Sequence, residues 1–380
     1  MPSKLAESSP TDGPDRDLRI DLFRGLSLWL IYIDHIPSDF LSRITPRNFG
    51  FSDAAELFIF LSGLTCGHVY GNLALQRGFM TASAHILRRT WQIYVATIFL
   101  FAAYAAEVFV LAHGRDGLLD GANIAVFLRD PGMALLELLA LRYVPVNMDA
   151  LPLIIVLHLA LPLVLLGLLT LPRLALATSL LLYILAHHFD WSISAYPRGT
   201  IYFNPLDWQL LFVIGAWIGL DGLRSIRPLL QSRWVVAICV VYVVISLIIV
   251  IGWQIPALQV PLPEFLTRSI YPVDKSDLDL LRLLHFLALA IVIWRIIPTN
   301  LTLPRSRAVR PIIRCGEYSL VLFCLGVLLA FAAGYVLTDV SSGFVAQFLV
   351  GVLGIAIMIG AATLLSKADR QSSDQHPRTI

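Results

Sequence analysis

Ten runs of mostly apolar residues alternate with short polar stretches along the chain: 22–41, 54–70, 90–110, 150–171, 174–188, 207–220, 234–253, 278–297, 319–337 and 344–366. A bilayer's hydrocarbon core demands about 20 such residues per helix, because each backbone N–H and C=O must find its partner within the segment. The pattern predicts an all-α, polytopic membrane protein with about ten transmembrane helices. Residues 123–143 break it: Arg129, Asp130, Pro131 and Glu137 interrupt the apolar run and predict a pair of short interfacial or re-entrant helices. Residues 1–20 then form a polar segment, 21–366 a single transmembrane domain and 367–380 a polar tail. The first apolar run has no small-residue cleavage site and reads as a retained helix.

Composition sharpens this picture. Of the 380 residues 57% are hydrophobic and 14% charged, against roughly 25% charged in soluble domains, so a soluble fold is excluded. A net charge of +2 is too small to drive binding to phosphate backbones, which excludes nucleic acid as a partner and leaves the lipid bilayer as the surrounding medium. Cys66, Cys239, Cys315 and Cys324 lie in or beside apolar runs without a CxxC pair and read as small core residues. His158, His187 and His188 lack a carboxylate at ligand spacing, so no metal is expected.

Orientation follows from the cations. With a cytoplasmic N-terminus, 19 of the 28 Lys and Arg residues fall on the cytoplasmic side and 9 outside, as the positive-inside rule requires. Both termini are expected in the cytoplasm.

Ionisable groups inside spans cost several kcal/mol and mark sites, unless long side chains snorkel to the headgroups. In the first run Arg24 and His35 are 11 residues apart, about 20° from a whole number of turns, so they project from one face about 16 Å apart. Asp34 adjoins His35 but points about 100° away. Asp53 and Glu56 open the second run three residues apart, placed to orient a histidine or bind sugar hydroxyls, or simply to favour a solvated helix start. Further along this run, Gly63, Gly67 and Gly71 form two small-xxx-small steps that let another helix approach closely. Lys275, Asp279, Arg282 and His285 make a polar stripe into the eighth run, for chemistry or for ion pairing alone. Asn204, Asp207, Trp208 and Gln209 beside a helix start combine an aromatic with amides and a carboxylate, which suits a sugar surface, although an aromatic belt also explains the tryptophan. No Gly-rich phosphate loop and no Gly-x-Ser-x-Gly elbow is present.

Arg24 and His35, followed by Phe58-Ile-Phe-Leu-Ser-Gly63, resemble the signature of acyltransferase-3 membrane enzymes. The longer strings Asp21-Leu-Phe-Arg24-Gly, Asp34-His35-Ile, and Thr45-Pro-Arg47-Asn-Phe-Gly-Phe-Ser-Asp53-Ala-Ala-Glu56 are similar to the OpgC branch, the succinyltransferases of osmoregulated periplasmic glucans. The similarity runs on through Phe203-Asn-Pro and Trp208-Gln209 to the stripe from Lys275 to His285. Two departures stand out: Gln92 occupies the place of a second arginine at the start of the third helix, and Gly326 that of a histidine near the ninth.

The resemblance implies an enzyme of a bacterial inner membrane that takes succinyl from cytoplasmic succinyl-CoA and esterifies hydroxyls of a periplasmic glucan. No permanently bound cofactor is implied, and a homo-oligomer stays open. His35, supported by Asp34, is the expected general base, since a sugar hydroxyl needs one and imidazole titrates near pH 6.5. Arg24, Arg88 and Arg89 are expected to bind the donor. The succinyl carboxylate needs a cation, for which Arg282 is the first choice and Lys275 and Arg47 the second; the acceptor falls to Asp53, Glu56, His285 and the group from Asn204 to Gln209. A secondary transporter or flippase for an anion or glycolipid is the rival reading, and it lacks the two matching halves such proteins show.

Overall fold

The computed structural model describes residues 17–37, 39–113, 116–255, 257, 273–296 and 309–375. Among these the regular structure is helical: α1 (Leu18–Asp34), α2 (Ala54–Arg77), α3 (Phe79–Ala112), α4 (Asp116–Gly121), α5 (Ala125–Arg129), α6 (Pro131–Leu139), α7 (Ala150–Thr170), α8 (Pro172–His188), α9 (Pro205–Gly219), α10 (Leu223–Gln231), α11 (Arg233–Gln254), α12 (Leu280–Ile296), α13 (Val309–Glu317), α14 (Ser319–Tyr335) and α15 (Phe344–Gln375). Six are long and apolar enough to cross a membrane: α2, α3, α7, α11, α14 with its extension to Val340, and α15 up to Ser372. The pair α9 and α10, bent by 98°, passes the same test jointly. The remaining expected spans, α1, α8 and α12, have 17 residues each. At 1.5 Å per residue that is about 25 Å, short of a hydrocarbon core of about 30 Å.

Several boundaries differ from expectation. The first helix ends at Asp34 rather than near residue 41. Ile36 precedes Pro37, which disfavours helical backbone in the residue before it and brings no N–H of its own. Two short 3-10 turns, Phe40–Ile44 and Pro46–Asn48, follow. His35 therefore caps the helix, its N–H bonded to the carbonyls of Ile31 and Tyr32. The eighth run becomes helical only at Leu280; Asp279 caps it by accepting from the Leu281 N–H at 2.7 Å, which leaves Lys275 in the preceding turn. Part of the expected polar tail is helical, since α15 runs on to Gln375. The interrupted stretch 123–143 carries two short helices, α5 and α6. Residue 297 and five of the cations assigned to the cytoplasmic side, Lys4, Arg16, Arg305, Arg307 and Arg378, lie outside the described residues.

The glycine ridge of α2 does what its spacing suggested. Gly63 lies against the Phe212 carbonyl and Gly67 against that of Ala216, while Gly215 and Gly219 of α9 meet the carbonyls of Phe60 and Leu64. The two backbones thus touch over two turns, and any side chain there meets backbone that cannot swing aside. Gly67→Val should lower stability by about 1–3 kcal/mol, the ordinary cost of overpacking. A thermal unfolding midpoint equal to that of the parent protein in the same detergent would contradict this packing.

Candidate functional site

Two of the cavities among the described residues lie at different heights along α1. The larger, about 790 Å³, sits at the His35 end and is lined by Asp34, His35, Arg47, Asp53, Lys275 and Arg282, together with residues of the loops that precede α7 and α9. His35 Nδ1 lies 2.6 Å from the Ile31 carbonyl oxygen. A carbonyl only accepts, so Nδ1 holds the ring proton and Nε2 is left as the basic atom. Asp34 turns away from the imidazole, as its 100° offset requires, and accepts from the Thr45 hydroxyl at 2.6 Å. Arg47 donates to the Asp34 carbonyl at 3.2 Å, tying the 3-10 turns back onto the end of α1.

A charge cluster forms one wall. Asp53 and Glu56 build a reciprocal capping box at the start of α2: Asp53 accepts from the Ala55 N–H at 2.8 Å, and Glu56 accepts from the Asp53 N–H at 2.8 Å. The guanidinium of Arg282 spans both acids, with Nε 2.7 Å from Glu56 Oε1 and Nη2 3.1 Å from Asp53 Oδ2. Lys275 Nζ adds a pair to Asp53 at 2.7 Å. Glu56 is fully buried and Arg282 is 8% exposed, so two cations balance two carboxylates inside the protein. Burial pushes the Asp53 carboxyl upward, but Lys275 and Arg282 outweigh it and hold the group well below the usual carboxylate range. Because the folded-state value is depressed, this pairing stabilises the protein at and above the ordinary carboxylate range and is lost as pH falls below it.

The smaller cavity, about 150 Å³, lies towards the other end of α1 and is lined by Arg24, Thr65, Cys66, Arg89, His158 and Ser319 among others. Arg24 pairs with Asp21 at 3.4 Å and donates to the Thr65 hydroxyl. Arg89 reaches Gln92 at 3.3 Å. His158 donates from Nδ1 to the Ile154 carbonyl at 2.9 Å, leaving Nε2 to accept from the Cys66 thiol at 3.4 Å. Two arginines beside a small hollow suit phosphate oxygens. Arg88 is exposed and outside this lining.

The OpgC protein family matches residues 16–370, which takes in both cavities and the charge cluster. The chain belongs to the OpgC family. It matches no curated protein and no solved structure.

Not every polar residue singled out in this OpgC-family sequence faces a cavity. His285 accepts from the Ser52 N–H at 3.2 Å and lies 2.7 Å from the Ser52 hydroxyl through Nδ1, and its ring packs against Gly50, fixing the approach to α2. Asn204, Asp207 and Trp208 are buried and hydrogen-bonded within the fold, except for Asp207 Oδ1, which has no hydrogen bond and lies 3.7 Å from His187 Nδ1. Asn204 caps α9 by accepting from the Leu206 N–H at 3.2 Å, and its amide donates to Trp191, Asp207 and Asp277. Trp208 Nε1 donates to the Ser276 carbonyl at 3.0 Å, and Gln209 is hydrogen-bonded to Ser179. These side chains form a strut that holds the turn carrying Lys275, and none of them lines either cavity. Among the described residues, no three His, Cys, Asp or Glu side chains converge as a metal site.

The loops contribute what periodicity could not reveal. Asn123, Arg142, Asn147, Asp149, Tyr196 and Arg198 all line the large cavity. Arg142 is held by Ser194, whose carbonyl accepts from Nε at 3.1 Å, and by Glu137 at 3.4 Å. Burial pushes the Asp149 carboxyl up to about 7. Its only sequence signal was an acid placed directly before an apolar run.

Proposed function

We propose that this OpgC-family protein is an integral membrane O-acyltransferase that moves a succinyl group from succinyl-CoA to hydroxyls of a periplasmic glucan. The observation that carries the reading is the fixed imidazole of His35, with one nitrogen committed to Ile31 and the ring in the wall of a cavity large enough for sugar residues. The acceptor hydroxyl gives its proton to Nε2 while its oxygen attacks the thioester carbonyl. The new C–O bond forms, the C–S bond breaks, and His35 returns the proton to the departing CoA thiolate. The donor's phosphates meet Arg24 and Arg89 at the smaller cavity. The positive-inside distribution supports a cytoplasmic face there and a periplasmic face at the larger cavity, in a bacterial inner membrane.

The carboxylate of a succinyl group needs a cation once it leaves water. Arg282, the first choice on sequence grounds, is already forked onto Glu56 and Asp53, and Lys275 is paired with Asp53. Arg47, whose hydrogen bond runs to a backbone carbonyl, and Arg198, both in the lining of the large cavity, are the better supported partners for the acyl carboxylate.

The test is product analysis. Purified protein supplied with succinyl-CoA and an isolated periplasmic glucan should release CoA thiol and yield succinyl esters in equal amounts, read by thiol titration and mass spectrometry. Unmodified glucan with intact donor would overturn the proposal. Within that assay Arg24→Ala should raise the KM for succinyl-CoA by about 10-fold or more, as loss of a charged hydrogen bond of roughly 1.5–3 kcal/mol implies, and leave the KM for glucan near its original value. A defect confined to the glucan would contradict the assignment of Arg24 to the donor.

A further inference from the structure

Phe58 and Phe323 line both cavities, and no other described residue does. Phe58 lies on α2 between Asp53 of the large cavity and Ser62 and Thr65 of the small one. Phe323 lies on α14, one turn beyond Ser319 of the small cavity. Their rings are stacked, with centroids 5.8 Å apart and planes inclined by 19°, and the residues are 6% and 4% exposed. The stacked pair therefore stands between a hollow flanked by Arg24 and Arg89 and the chamber that holds His35. Two ring faces are held together mainly by dispersion and offer no hydrogen bond to an arriving polar group. They can slide apart more readily than a salt-bridged wall such as Asp53–Arg282.

We propose that the Phe58–Phe323 stack is the port between the two cavities. The acyl end of the thioester passes between these rings to reach His35, and the closed stack keeps water in the large cavity from a donor waiting in the small one. The barrier follows from the geometry alone, and the acyl passage rests on the function proposed above. A closed port prevents the wasteful side reaction in which water attacks the thioester carbonyl, the C–S bond breaks, and free succinate and CoA thiol are released.

Cys66 supplies a reporter, because its thiol lines the small cavity. In a Cys239→Ala, Cys315→Ala, Cys324→Ala background it is the sole thiol of the chain. A charged, membrane-impermeant thiosulfonate is applied to spheroplasts and to inverted vesicles, so that each face is sampled separately. With the stack intact, Cys66 should label poorly from the His35 face. Phe58→Ala with Phe323→Ala should raise labelling from that face several-fold, and Phe323→Leu, which keeps an apolar filler in case the double variant fails to fold, should raise it less. Labelling from the His35 face that is equal in parent and both variants would overturn the proposal. The double variant should also hydrolyse succinyl-CoA without glucan. A gain in labelling with no CoA release from any form, parent included, would leave the barrier standing and remove the acyltransferase reading instead.

Discussion

Replacing His35 with alanine should lower succinyl transfer by about 10²–10⁴-fold, the loss that removal of a general base brings. The imidazole makes one hydrogen bond among the described residues, from Nδ1 to the Ile31 carbonyl near the end of α1. Its removal should leave the unfolding midpoint and the affinity for CoA close to those of the parent. Initial rates of ester formation, compared at saturating donor and acceptor, separate chemistry from binding. A variant that turns over at the parent rate would remove His35 from the mechanism. One that no longer binds CoA would turn it into a structural residue.

The second large effect is expected in stability. Arg282→Gln leaves Glu56, fully buried, facing a neutral side chain where Nε of the guanidinium stood 2.7 Å away. Removing one partner of a buried pair costs about 3–5 kcal/mol, most of it from the charge left behind. The unfolding midpoint in detergent should fall accordingly. Adding Glu56→Gln should recover much of the loss, since the stranded charge is then gone. Equal midpoints for Arg282→Gln and the parent would show that the cluster does not hold α2 against α12. If succinyl transfer instead fell alone, with acetyl transfer and stability unchanged, Arg282 would be the reader of the acyl carboxylate after all.

These two predictions differ in how far the sequence could lead to them. Arg24, His35 and the glycines of α2 repeat at helical spacings, so the shared face and the close helix crossing could be read from periodicity within single segments. The Glu56–Arg282 pair could not, because its members are 226 residues apart; each was visible as part of a polar stripe, with nothing local to say that the stripes face one another. Periodicity overruns the end of α1, because Phe40 and Leu41 extend the apolar run past Pro37 while the helix ends at Asp34. Asn204, Asp207 and Trp208 suit a sugar surface by residue type, because a buried polar strut and a carbohydrate site draw on the same side chains. Burial alone separates the two, and burial follows from the tertiary fold. The loop residues Asn147, Asp149, Tyr196 and Arg198 carry no period at all. They reach the large cavity only through the packing of the helices they connect.

The account as a whole requires the donor to be used on one side of the membrane and the acceptor on the other. Proteoliposomes with succinyl-CoA sealed inside and glucan supplied outside test this directly, provided that the fraction of molecules with Arg89 facing inward is measured by protease protection. Succinyl esters should accumulate on the external glucan in proportion to that fraction, with CoA thiol retained in the lumen. Ester formed only when donor and glucan share a compartment, or glucan that crosses the bilayer unmodified, would contradict it.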